Sequence, residues 1–204
     1  MRLIGMLDSP YVRRVAISLK FMDIPFEHEP LSVFRQFETF AKINPVVKAP
    51  TLVTDDGITL MDSTLILDYV ERLVPMERRL TPADAPGHAR AQRVIGLALA
   101  ACEKTVQIVY ELNLRPPEKQ HQPWIDRVRG QLLAAYRLLE AETGTGKTWL
   151  FGTKPLQPDI SAAVGWRFTQ SVLSDIVKAD DFPALSLLSE RAEALPEFVS
   201  LPPT

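Results

Sequence analysis

The 204 residues are 46% hydrophobic and 24% charged, the balance of an ordinary globular protein rather than of a disordered tail. Lys and Arg number 23 against 25 Asp and Glu, a formal net charge of −2, so the surface as a whole has no pull toward nucleic-acid phosphates or anionic lipid. The single cysteine, Cys102, excludes an intrachain disulfide and any cysteine-based metal cluster by counting.

The longest mostly apolar run, Val94 to Cys102, falls well short of the roughly 20 residues of a membrane span. Leu3 to Leu7 is too short for a secretory apolar region, and the expected location is cytoplasmic. Three histidines, His28, His88 and His121, stand at no ligand spacing, so no metal site is expected.

Residues 2–7 read as a short buried strand. Val12, Val15, Ala16, Leu19 and Met22 then recur at helical spacing before Pro25. Phe26 to Leu31 alternates as a second strand, completing a βαβ unit. Ser32 to Ile43 carries Phe34, Phe37 and Phe40 and reads as a short helix or an irregular segment. Thr51–Thr54, the turn Asp55-Asp56-Gly57 and Ile58–Met61 form a hairpin. Asp62-Ser63 then caps a helix whose apolar positions are Ile66, Tyr69, Val70 and Leu73, with Pro75 marking its end.

Val74 to Gly87 holds Pro75, Pro82 and Pro86 and little periodicity, which marks a linker. Beyond it the pattern is helical throughout. One long helix runs to Arg115-Pro116-Pro117, others are marked by Ile125 to Leu139 and Ile160 to Phe168, and a shorter one follows Pro183. The division read from this pattern is residues 1–75, a linker over 76–87 and a helical domain over 88–204. Gly144-Thr145-Gly146-Lys147-Thr148 lacks the first glycine of a phosphate loop and the strand before it, so it reads as a turn between helices. Cys102 sits on an apolar helical stripe and reads as a core thiol.

Three anchors carry chemistry. Ser9-Pro10 is a helix N-cap at the end of the first strand, where open α/β sheets gather ligands and helix N-termini favour anions. Pro50 directly precedes a strand, a place where a cis bond is found. Asp62-Ser63 offers a second helix N-terminus.

Together, Ser9-Pro10-Tyr11-Val12-Arg13-Arg14-Val15, the run from Asn44 to Val53 and Leu60-Met61-Asp62-Ser63 with Ile66 and Tyr69 resemble the cytosolic glutathione transferase superfamily, bacterial members with a serine after the first strand. The resemblance implies an α/β thioredoxin-like N-terminal domain, an all-α C-terminal domain and a homodimer. It implies glutathione as co-substrate, a small apolar electrophile as its partner, and Ser9 as the catalytic group facing the sulfur. Ala49 before a cis Pro50, Lys48, Asp62, Ser63 and a wall at Phe34 would hold the tripeptide. Tyr11, Tyr110 and Trp166 are candidate walls for the co-substrate, with core or interface packing as the other reading of each. Val47 stands where many members have Gly, and Leu156 stands where a capping Ser or Thr is usual, leaving Asp159 as the remaining half of that cap. The alternative is a relative that docks another protein without catalysis, which the intact Ser9, Lys48 and Asp62-Ser63 set disfavours.

Overall fold

The computed structural model describes residues 1–203. Its contacts divide the chain into two compact units, Met1–Leu80 together with Ala194 and the residues after it, and Thr81–Glu193.

In the first unit β1 (Arg2–Ile4) is followed by α1 (Pro10–Phe21), β2 (Glu27–Glu29), α2 (Phe37–Ile43), β3 (Thr51–Val53), β4 (Thr59–Met61) and α3 (Ser63–Glu71). The sheet order is β2-β1-β3-β4. Leu3 lies opposite His28 in a parallel pair and opposite Leu52 in an antiparallel one, and Leu52 lies opposite Leu60. Leu3, Ile4 and Leu52 are fully buried, as are Val12, Val15 and Leu19 of α1 and Ile66 and Val70 of α3. This is the apolar periodicity of the sequence turned inward, helical in α1 and α3 and strand-like in β1 and β3.

The edges of these elements differ from the expected ones for local reasons. β1 stops at Ile4 because Gly5 takes φ +137. The segment after Ser32 resolves into a turn, in which the Ser32 hydroxyl accepts from the Phe34 and Arg35 amides, and then α2. Helix α3 ends at Glu71, four residues short of Pro75.

The expected linker over 76–87 is partly structured. Met76–Arg78 form one 3₁₀ turn, and Asp84 caps α4 (Ala85–Leu114) by accepting from the Gly87 amide at 2.8 Å, so the last three linker residues are the first turn of a helix. The expected assignment of everything from 88 onward to the helical domain also differs from the contacts. A short helix, α8 (Pro196–Val199), packs on α1 of the first unit. Arg13 of α1, 2% exposed, donates from Nε to the Leu201 carbonyl at 2.8 Å and lies over the Phe198 ring, which also meets Phe21 edge-on.

The second unit consists of α4, α5 (Gln122–Thr143), α6 (Gln157–Leu173) and α7 (Pro183–Glu193). Its core joins Val94, Ala98 and Ile108 of α4 to Val128, Leu132 and Tyr136 of α5 and to Trp166 of α6. Gly165 lets α4 and α6 approach, since a Cβ there would stand 3.0 Å from the Cys102 sulfur. The buried Tyr136 hydroxyl is satisfied by the Thr169 hydroxyl at 2.6 Å and the Gly165 carbonyl at 3.1 Å, and burial pushes its pKa well above the ordinary tyrosine value. The Gly-Thr-Gly-Lys-Thr segment is a turn: Gly146, at φ +68, packs so closely on the Ala184 carbonyl that no side chain fits. Among the described residues no helix is long and apolar enough to cross a membrane.

Candidate functional site

The site is built at the edge of the first unit where β1, α1, the Asn44–Thr51 connection and α3 meet. Ser9 is the N-cap of α1, and its Oγ accepts from the Val12 amide at 3.5 Å, with Pro10 in the first turn. A serine hydroxyl has one proton and two lone pairs, so acting as a cap uses an acceptor and leaves the proton to donate outward.

The Ala49–Pro50 bond is cis, as the proline before a strand suggested, and Thr51 begins β3. This turn is tied down by a buried amide: Asn44 Nδ2 donates to Thr51 Oγ1 at 2.9 Å, Thr51 Oγ1 donates to the Lys48 carbonyl at 2.7 Å, and Asn44 Oδ1 accepts from the Val46 amide. Val47 within it takes φ +51, a left-handed conformation that a β-branched side chain rarely adopts. Gly5 joins the turn to the first anchor. A Cβ at Gly5 would stand 2.6 Å from Val12 of α1 and 3.0 Å from the Ala49 side chain, so only glycine lets β1, α1 and the cis turn close on one another. Its carbonyl accepts from His28 Nε2 at 2.9 Å.

Asp62, at φ +38, caps α3 by accepting from the Thr64 amide at 2.9 Å, while its other oxygen lies 3.9 Å from Lys48 Nζ. Both side chains are about half exposed, so this pair is open to exchange for a ligand's charges at little cost. Ser63 is 2% exposed, and its hydroxyl accepts from Arg14 Nη1 at 3.0 Å. Arg14 also reaches Thr64 Oγ1 at 3.3 Å, so one buried guanidinium fastens α1 to the start of α3. Arg14, Gly5 and Asn44 were present in the motifs or beside them, yet no periodic or spacing signal singles them out.

The contacts therefore join Ser9's helix, Ala49, Lys48, Asp62 and Ser63 in one connected arrangement. Phe34 lies on the turn before α2 and is 58% exposed. Tyr11 is half buried in the first turn of α1, and Tyr110, in the second unit, is 43% exposed near the end of α4. Trp166 is a correction. It is 3% exposed and packs edge-on against Tyr136 and Phe182, with ring centroids 5.2 and 5.6 Å away. Its indole is committed to the core of the second unit and does not wall a pocket. Cys102 is likewise buried at 3%.

A four-stranded mixed sheet with a cis proline opening β3 and helices beginning at the sheet edge defines a thioredoxin-like domain, here followed by a helical unit. Residues 3–78 match the family described as the glutathione S-transferase N-terminal domain. The chain is 30% identical to the uncharacterized GST-like protein YibF of Escherichia coli K12 over 150 residues, covering 72% of this chain and 73% of the relative. It is 29% identical to maleylacetoacetate isomerase of Pseudomonas aeruginosa over 206 residues, covering 93% and 89%. Among solved structures, the glutathione S-transferase of Methylobacterium radiotolerans in complex with glutathione sulfonate aligns with a TM-score of 0.91 at 28% identity, covering 99% of this chain and 94% of that one. The chain belongs to the cytosolic glutathione transferase superfamily.

Proposed function

We propose that the protein is a glutathione transferase in which Ser9 activates the thiol of glutathione for attack on a small apolar electrophile. The observation that supports this is the connected arrangement of Ser9, Ala49, Lys48 and Asp62 in the first unit. The backbone of Ala49 would pair with the cysteinyl residue, Lys48 with the glycine carboxylate, and Asp62 with the γ-glutamyl ammonium. Ser63 and the amides opening α3 would take the γ-glutamyl carboxylate, Phe34 would wall the tripeptide, and Tyr11 would meet the co-substrate. On the strength of its family, the chain would work as a cytoplasmic homodimer in detoxification.

A free thiol with pKa near 8.5 is only a few per cent ionised at neutral pH. Lowering that value by two units requires about 2.7 kcal/mol. One hydrogen bond from Ser9 to the thiolate contributes about 1.5–3 kcal/mol, and the N-terminus of α1 about 0.3–1 more. The two reach the required magnitude. The serine acts as a hydrogen-bond donor and forms no covalent bond.

The similarity to an isomerase over almost the whole chain favours a second reading, in which the same thiolate adds to an unsaturated substrate and is released again. Glutathione consumption separates the two: a transferase consumes one equivalent per turnover and an isomerase none. Ser9→Ala is expected to lower turnover by about 10- to 100-fold, to leave glutathione affinity nearly unchanged and to return the bound thiol's pKa toward about 8.5. Thiolate absorbance across a pH titration reads this directly, and an unshifted pKa in the variant rules out the role given to Ser9. Calorimetry with millimolar glutathione tests the reading as a whole, since absence of binding would leave a protein-docking relative.

A further inference from the structure

The second unit holds a cavity of about 470 Å³, remote in sequence from the residues of the proposed glutathione site, within the size range of small-molecule sites. One wall is a single face of α5: Arg129, Leu133 and Arg137 stand four residues apart and both arginines point at the cavity. The opposite wall is the connection from α6 to α7, which contributes Ile176 and Phe182.

That connection is held in place. Gln170 Nε2 donates to the Val177 carbonyl at 2.9 Å, the Ile176 and Val177 amides both donate to the Leu173 carbonyl, Val177 is fully buried, and Phe182 is locked against Tyr136 and Trp166. A ligand therefore meets a preformed wall.

The charges on the lining are unequal in their commitments. Lys178 is paired with Asp175 at 3.5 Å. Arg129 and Arg137 have no carboxylate partner among the described residues, and the two carboxylates of the lining, Asp175 and Asp181, are outnumbered by its three cations. Two guanidinium groups without a carboxylate partner, eight residues apart on α5, share this lining with the apolar Leu133, Ile176 and Phe182, a combination suited to a two-point anion receptor. Eight residues of α-helix separate the two arginine Cα atoms by about 12 Å, and guanidinium binds carboxylates through two parallel hydrogen bonds.

We propose that this cavity is a second binding site, independent of the glutathione site, for an elongated organic dianion with an apolar middle, of the class of the medium-chain α,ω-dicarboxylates. The probe is sebacate, titrated calorimetrically into the full chain, with decanoate as the single-carboxylate control. Saturable sebacate binding is expected, about fivefold or more tighter than decanoate and weakened as salt rises from about 50 to about 300 mM. Arg129→Met and Arg137→Met are each expected to raise the Kd about fivefold to tenfold. Both arginines are exposed, so the variants keep the wild-type melting temperature and the loss reads binding. No saturable heat up to about 10 mM sebacate, or equal sebacate affinity in the Arg129→Met/Arg137→Met double variant, overturns the proposal. Survival of binding in the double variant would place the probe elsewhere, on Lys48 and α3 among other sites.

Discussion

Val47 shows how a single residue carries the cost of shaping the site. Its φ of +51 belongs to a turn tied by the Asn44–Thr51 hydrogen bond. A left-handed conformation costs an L-residue about 1–2 kcal/mol, of which glycine's extra unfolded-state freedom takes back about 0.4–1. Val47→Gly is therefore expected to stabilise the protein by about 0–1.6 kcal/mol, measured as the midpoint shift in urea with an unchanged slope. Ser9 and Asp62 were legible in the sequence because capping is local: the residue type and its position before an apolar periodic run suffice. Arg14 and Gly5 were not, because the sense of a buried arginine or a glycine lies in what it touches across the fold, and Trp166 was ambiguous because helical spacing marks a buried face without saying whether a ligand or a protein neighbour covers it.

At the scale of the element, α6 starts without the usual hydroxyl cap. Leu156 has no side-chain oxygen, so only the second half of a capping box forms: Asp159 accepts from the Leu156 amide at 3.0 Å and, through its other oxygen, from the Leu150 amide at 2.9 Å. The carboxyl is fully buried, and desolvation raises its pKa above the ordinary aspartate value against the opposing effect of those amides. A raised folded-state pKa means that its contribution to stability is fully present below the unfolded value, about 3.9, and is lost as pH rises through the folded value. Asp159→Asn removes one acceptor and is expected to destabilise by about 1–3 kcal/mol. Because the asparagine does not titrate, the gap between wild type and variant should be widest at the acidic end and narrow toward neutrality. Denaturation midpoints of both proteins across that range test the sign, and a gap that widens with pH contradicts it. The identity of the longer elements was legible, whereas that of α2 stayed open and element ends were not legible: α3 and α4 depart from their expected limits because proline spacing marks where a helix cannot be, not where its last hydrogen bond falls.

For the whole molecule, the division into an α/β part and a helical part was readable from the change of period near Pro75. The return of residues after Ala194 to the first unit was not, since α8 is four residues long and carries no periodicity to read. Phe198 is 1% exposed, and Phe198→Ala is expected to cost about 3–5 kcal/mol. The loss should appear in hydrogen exchange as reduced protection of α1 amides, with the α4 and α5 amides changed least. Uniform loss across both units would show that the segment supports more than α1.

The hydrogen bond from Arg13 to Leu201 spans 188 residues, which orders events during synthesis. At about 5–20 residues per second, the ribosome takes on the order of 10–40 s to make the partner of a guanidinium that left the tunnel long before. Through that interval the underside of α1 lacks its cover, so the first of the two units is completed only after the second has been made.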